Sequence, residues 1–348
     1  MSLVRVGLIG CGGIARRAHV PAMRTLGDRV TLVAAADLDR ALAEETAGPW
    51  GARAYVDYRE LLRRDDLDAV IIATPEFAHR EQVEAAAAVH RHVLCEKPMA
   101  NTLAEADAML AACERGGVLF MVAHSRRFTR RYMEIRAAID RGDVGTVRLV
   151  RENERRPRPQ AGHTRYYTPQ HWSGDPALSR GAVLSNGIHE MDLLRWFAGG
   201  RPAVVLAEHR VTIETNTKGA PDFITIAIRF AGGAIASAEI HNNLPQGYPA
   251  FHQCEVYGTR GAIRAKDLEL VDLTSYGDAG AEFPEVREIL LHNPAAYVRE
   301  WAAFLDAVEG RAPLPMPAAE ARAARELALA ASESARTGEP VLLAGAHA

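Results

Sequence analysis

The sequence predicts two α/β domains in series: a doubly wound parallel sheet over residues 1–123, then an open, mainly antiparallel sheet covered by helices on one face over residues 124–348. Three observations predict this. The 348 residues exceed the roughly 250–300 at which a single core stops growing. The first third alternates short apolar runs with helical patterns, which is the mark of parallel βαβ units. From about residue 144, strand-like runs follow one another over short connections that suit hairpins.

In the first domain VRVGLIG (4–10) is a strand, and a helix begins near Ile14. VTLVAAAD (30–37) precedes the helical DRALAEETA, AVIIAT (69–74) precedes HREQVEAAAAVH, and HVLCEK (92–97) precedes a helix after Asn101. Thr102 and Glu105 have capping-box spacing, and Gly116-Gly117 is a stop signal. VLFMVAH (118–124) is the closing strand.

In the second domain VGTVRLVREN, AVVLAEHRVTIE, DFITIAIRF, AIASAEIHNN, HQCEVYG and AIRAKDLELVDL are strand candidates, and turn signals stand at Ala231-Gly232-Gly233 and Gly258-Thr259-Arg260-Gly261. Helices at about 129–141, 187–198, 297–309 and 318–336 are expected to cover one face of this sheet. In ITIAIRF and AIASAEI both alternating faces carry apolar or small residues. The uncovered face therefore suits subunit packing in a homo-dimer or homo-tetramer, with a half-solvated sheet as the alternative. The long loop-like segment 155–181 is a candidate functional loop.

With 48% hydrophobic and 24% charged residues, the composition is that of an ordinary globular protein. A formal net charge of -3 gives no electrostatic reason to bind nucleic acid or an anionic membrane, so a small-molecule substrate is the expected partner. Four scattered cysteines without a C-x-x-C pair suggest neither a disulfide framework nor a zinc site, and no metal is expected. The N-terminus lacks the features of a signal peptide, and no segment has the roughly 18 consecutive apolar residues of a membrane span. A cytoplasmic location is expected.

GCGGIA (10–15) lies between the first strand and the first helix and matches G-x-G-x-x-A. Gly10 permits the tight turn, Gly12 lets the backbone approach a pyrophosphate, and Ala15 permits close helix–strand packing. The helix N-terminus then offers unpaired N–H groups. The second strand ends in Asp37, whose carboxylate suits the ribose 2′-OH and so favours NAD over NADP; Arg40 nearby is the one cation that argues the other way. The first domain thus reads as a dinucleotide-binding Rossmann domain.

Lys97 follows the fourth strand of this sheet, at the carboxyl edge where ligands of doubly wound folds bind. An ammonium there donates a hydrogen bond to a substrate oxygen and stabilises alkoxide character as hydride leaves the adjoining carbon. Pro98 restricts its backbone, and Glu96 lies beside its charge. A surface lysine at a strand end is the plainer alternative.

The glycine loop at 10–15, CEKP at 95–98 and GIHEMDLLRW at 187–196 stand in the order and spacing of the glucose–fructose oxidoreductase / inositol dehydrogenase / rhizopine-catabolism (Gfo/Idh/MocA) family, which the sequence resembles over nearly its whole length. ATPEFAH (73–79) and HSRRF (124–128) are further matches. The resemblance implies a nicotinamide-dependent oxidoreductase interconverting a secondary alcohol and a ketone on a sugar, polyol, sugar acid or cyclic diol. It implies that Lys97 and His189 are catalytic, with His189 as acid/base, a role an imidazole suits. It also implies that Gly10, Gly12, Gly13, Ile14, Asp37, Arg40, Thr74, Pro75, His79, Glu96 and Lys97 bind the cofactor. Lys97, Arg126, Tyr167, Trp172, Ser185, Asn186 and His189 are the implied substrate contacts.

Three departures from the family pattern leave the substrate open. Ser185 stands where polyol-oxidising relatives carry Asp in D-x-G-x-H, Glu76 replaces the usual Asn, and Ser179-Arg180-Gly181 replaces three glycines. The loop residues His163, Tyr166, Arg158 and Arg165 suit a pocket lining or an acidic ligand. Two other functions fit the same motifs: a redox-neutral, NAD-retaining glycoside hydrolase or eliminase of the family, and a nucleotide-sensing regulator without catalysis.

Overall fold

The computed structural model describes residues 3–157, 172, 178, 182–210, 221–245, 248, 251–266, 270–275 and 293–343. Strand β1 (Val4–Ile9) runs through the glycine turn into a one-turn π-helix, Ala15–His19, and α1 (Val20–Thr25). The alternation continues through β2 (Val30–Ala36), α2 (Arg40–Ala47), β3 (Arg53–Tyr55), α3 (Tyr58–Leu62), β4 (Ala69–Ile72) and α4 (Glu76–Ala88). It ends with β5 (His92–Glu96), α5 (Leu103–Gly116) and β6 (Phe120–Ala123). There follow α6 (Arg130–Arg141), β7 (Val147–Pro157), α7 (Ala182–Ala198), β8 (Pro202–Arg210), β9 (Phe223–Phe230), β10 (Ile235–Leu244) and β11 (Phe251–Gly258). The chain closes with β12 (Gly261–Lys266), β13 (Leu270–Ser275), α8 (Pro294–Val308), α9 (Ala318–Thr337) and β14 (Val341–Leu342).

The chain divides into two compact units, one made of Met1–Phe128 with Leu291–Arg322, the other of Thr129–Leu290 with Ala323–Ala348. In the first, six parallel strands take the order β3-β2-β1-β4-β5-β6, which reverses between β1 and β4. Strands β4 and β6 are buried at every residue and β1 at all but Arg5, as apolar runs covered on both faces must be. The capping box on α5 is present: Thr102 Oγ1 accepts the Glu105 N–H at 3.2 Å, and the Glu105 carboxylate accepts the Thr102 N–H at 2.9 Å. Gly117, at φ +63°, ends the helix as an αL cap.

The second unit holds an eight-stranded sheet in the order β13-β12-β11-β7-β10-β9-β8-β14. Its pairs are antiparallel except β7 with β10, which run parallel. Along β9, Ile224, Ile226, Ile228 and Phe230 are buried while Thr225, Ala227 and Arg229 are exposed, so one face packs and the other does not. Helix α7 packs against β7 and β10 on the covered face.

Several expectations need correcting. The sequence pattern puts 297–309 on the cover of the second sheet, yet α8 lies in the first unit, where Tyr297, Trp301, Phe304 and Leu305 join the core of the parallel sheet. A single boundary at 123/124 differs from the observed division for the same reason: these large apolar side chains return to the first core. AIRAKDLELVDL is two paired strands, β12 and β13, whose β-forming composition hides the break. Helix α7 begins at Ala182 rather than near Gly187. β3, α3 and β14 are too short to show a period in the sequence.

Candidate active site

Because the first sheet is parallel, β1, β2, β4 and β5 all deliver their next residues to one carboxyl edge. Gly10 follows β1 at φ +92°, and a Cβ there would lie 2.8 Å from main-chain atoms of Ala73, so only glycine serves. Gly12 differs: a Cβ on it would meet no heavy atom within 4 Å, so the protein's own packing does not demand glycine and the space above the turn is open. Gly13 and Ile14 begin the helical stretch at the turn and are half-buried.

Asp37, directly after β2, accepts the Cys11 N–H on Oδ2 at 2.7 Å and the Asp39 N–H on Oδ1 at 2.9 Å. These bonds tie the carboxylate to the glycine turn and leave half of its roughly four lone-pair sites for a ligand. Arg40, at the start of α2, has an exposed side chain that lies 3.7 Å from Glu44, one turn along the helix. An open glycine turn before a helix, with a carboxylate fixed at its side, fits NAD: Gly10, Gly12 and Gly13 are the residues that would hold the pyrophosphate and Asp37 the one that would hold the ribose.

Thr74 and Pro75 connect β4 to α4, with Pro75 as the N-cap. Thr74 Oγ1 bonds Gln82 at 2.6 Å, and its main-chain oxygen lies 2.9 Å from His79 Nε2. His79 Nδ1 is 3.0 Å from the Pro98 oxygen. The ring is buried and joins the loop after β4 to the loop after β5, so its observed part is to hold these two loops together.

Glu96 ends β5 and Lys97 follows it through a cis bond to Pro98. Glu96 is buried beneath Lys97: Oε2 accepts the Lys97 N–H at 3.0 Å and Oε1 lies 2.9 Å from His19 Nε2. Burial alone would raise this carboxyl, but the His19 hydrogen bond, the Lys97 charge and the Lys97 N–H outweigh it and hold Glu96 below the usual carboxylate range. Behind it Trp301 Nε1 donates to His19 Nδ1 at 3.1 Å. Neither His19 nor Trp301 was expected here. A histidine in the helix opened by a glycine loop was the available signal, but its partner is distant in sequence. Arg126 is buried in the same unit, in the 3₁₀ turn after β6.

In the second unit Ser185 and His189 are buried one turn apart on α7, with Asn186 half-buried between them. Gly187 has a packing reason: a Cβ there would lie 2.5 Å from Ile240 Cδ1, so glycine lets α7 approach β10. Trp172 is half-buried, while Tyr167, His163, Tyr166, Arg158, Arg165 and the Ser179-Arg180-Gly181 run lie outside the described residues.

Residues 4–124 match the model described as an oxidoreductase family with an NAD-binding Rossmann fold, and residues 132–264 match the GFO/IDH/MocA C-terminal domain. A 1,5-anhydro-D-fructose reductase of Ensifer adhaerens is 30% identical over 314 residues, 88% of this chain and 88% of that one. An inositol 2-dehydrogenase of Rhizobium meliloti (strain 1021) is 29% identical over 333 residues, 95% of this chain and 96% of that one. Among solved structures, the WlbA dehydrogenase from Bordetella pertussis, in complex with NADH and UDP-GlcNAcA, is 25% identical with a TM-score of 0.86, covering 98% of this chain and 99% of that one. Likeness that runs through the glycine turn, the lysine loop and the histidine helix alike is likeness of the whole chain, which belongs to the Gfo/Idh/MocA family of NAD-binding oxidoreductases.

Proposed function

We propose that the chain is an NAD-dependent dehydrogenase interconverting a secondary alcohol and a ketone on a sugar, polyol, sugar acid or cyclic diol. The observation that carries this reading is a single sheet edge bearing, in strand order, Asp37, the glycine turn, Thr74 and Lys97. NAD, when bound, supplies the hydride acceptor. The Lys97 ammonium donates a hydrogen bond to the substrate oxygen and stabilises negative charge there as the C–H bond breaks. His189 takes the hydroxyl proton, and Arg126, Trp172, Tyr167, Ser185 and Asn186 bind the remaining substrate groups. The names of two relatives, a 1,5-anhydro-D-fructose reductase and an inositol 2-dehydrogenase, support a cyclic polyol substrate.

The chain works in this reading as a cytoplasmic homo-oligomer paired through the outer face of the second sheet. Four free, buried cysteines support the first part, and the half-bare sheet supports the second. Among the described residues, no helix is long and apolar enough to cross a membrane.

The test is a panel of sugars, inositols, sugar acids and cyclic diols assayed for NADH formation and, separately, for sugar-bond cleavage without it. NADH formation with one member is expected. Lys97→Met should cut kcat by about 10²–10⁴-fold while leaving NADH binding nearly intact. Wild-type turnover in that variant would return Lys97 to a strand-end surface residue. Cleavage without NADH release would favour the redox-neutral reaction.

A further inference from the structure

The helix opened by the glycine turn carries a histidine onto the back of Glu96. His19 closes the π-turn Ala15–His19, a geometry that recurs at functional sites, and its side chain is wholly buried. Its two ring nitrogens have different partners. Nδ1 lies 3.1 Å from the Trp301 indole nitrogen, and Nε2 lies 2.9 Å from Glu96 Oε1. An indole has an N–H to give and no lone pair with which to accept. The proton in the first bond therefore belongs to Trp301, and Nδ1 is bare. The ring's own proton then sits on Nε2 and is donated to Glu96. The other Glu96 oxygen accepts the Lys97 N–H at 3.0 Å. Two hydrogen bonds are thus donated in sequence from α8 through the nucleotide-loop helix into Glu96, and a third, donated by the Lys97 amide, meets them at the same carboxylate.

We propose that His19, fixed in its Nε2–H tautomer by Trp301, is a positioning residue for Lys97, which rests on the reading of Lys97 as the group that binds the substrate oxygen. By giving one N–H to Glu96 it sets the rotation of that carboxylate, so that the second oxygen grips the Lys97 amide. The root of the Lys97 side chain is held from behind. The packing around the ring suits an oriented, dry bond: Tyr297 stands edge-on at 5.4 Å between ring centroids and Trp301 at 6.1 Å. A carboxylate in such a place depends on each donor, because little water is present to replace a lost one. A role limited to filling space would make a leucine tolerable at position 19. A role in delivering a proton donor would not.

Two variants separate these roles. Gln at position 19 retains an amide N–H for Glu96 and an oxygen for the Trp301 N–H, whereas Leu keeps apolar bulk and has neither. His19→Leu is expected to lower kcat by about 10²-fold with KM moved much less, the cost of a reacting group misplaced by about 1 Å. His19→Gln is expected to recover most of that loss. Independently of turnover, hydrogen exchange of the Lys97 amide is expected to be slow in wild type and His19→Gln and fast in His19→Leu. In ¹⁵N-histidine spectra of the full chain, the ring signal lost in His19→Gln is expected to show Nε2 protonated and Nδ1 bare. Trp301→Phe, which keeps a ring but removes the N–H, is expected to mix the two tautomers, and it serves should the leucine variant not fold. A wild-type signal with Nδ1 protonated would overturn the proposal, as would a leucine variant matching or exceeding the glutamine variant in kcat or in Lys97 amide protection. If wild type oxidises nothing on the panel, the functional reading fails while the exchange and tautomer measurements still decide the positioning role.

Discussion

Asp37 accepts one N–H from the glycine turn and one from Asp39, so it is a loop tether, and in the proposed function its remaining lone pairs make it a recognition group as well. Asp37→Ala should therefore weaken NAD(H) and NADP(H) together through the loosened turn. It should also narrow the ratio between them by about 10–100-fold, the worth of a hydrogen bond to a charged group. Calorimetric titration with both nucleotides measures this, and an unchanged ratio would remove Asp37 from discrimination. Glu300 is the opposite kind of acid. It is wholly buried, and among the described residues neither of its oxygens has a hydrogen-bond partner. Burial, and then the Glu96 charge, push its carboxyl well above the usual range. A raised folded value gives stability that is full below the unfolded value of about 4.3 and is lost as pH rises through the folded value. Glu300→Gln cannot titrate, so its Tm should gain on wild type as pH goes from about 5 to 8; parallel Tm curves would contradict the buried-acid reading. The place of the glycines, Asp37 and Lys97 at the carboxyl edge of the sheet was legible because each follows a strand at a fixed offset within a short motif. His19 with Trp301 was not legible, because that bond joins residues 282 apart and depends on where α8 packs.

Elements were legible where a local rule acts alone. The capping box and αL glycine of α5 are such rules, and both are present. The π-turn is not visible in a sequence period, and a three-residue strand such as β3 has no period to read. Gly116 shows a local rule overridden by packing. As the last residue of α5 it should prefer alanine by up to about 1 kcal/mol on helix propensity. A Cβ there, however, would lie 2.5 Å from the Ala87 main-chain oxygen on α4, and main chain cannot swing aside. Gly116→Ala is expected to destabilise the protein by about 1–3 kcal/mol in denaturant unfolding. A stabilised variant would mean that α4 and α5 slide apart at little cost.

At the scale of the whole molecule, the fold class could be read because periodicity changes from helix-and-strand to strand-and-strand along the chain. The return of α8 could not, since an amphipathic helix does not announce which core it will join. The second sheet leaves Leu206 at 44% and Ile235 at 51% exposure on its uncovered face. Exposed apolar side chains on a strand face suit a self-complementary contact. Sedimentation velocity should find wild type as an oligomer and the pair Leu206→Lys with Ile235→Lys shifted toward monomer. A monomeric wild type would leave the sheet simply half-solvated.

The late position of α8 also bears on the order in which the protein can be completed as it is made. Six parallel strands have emerged by residue 123, yet Trp301, Phe304 and Leu305, which join their core, are still to be translated. At about 5–20 residues per second the ribosome needs roughly 10–40 s more to reach the end of α8. During that interval the nascent parallel sheet carries an uncovered apolar patch, and the buried bond from Trp301 to His19 cannot form. The nucleotide-binding unit, although begun first, is thus completed only after residues 129–290 of the second unit have been made, and a nascent chain stalled before α8 is the species most exposed to chaperones and aggregation.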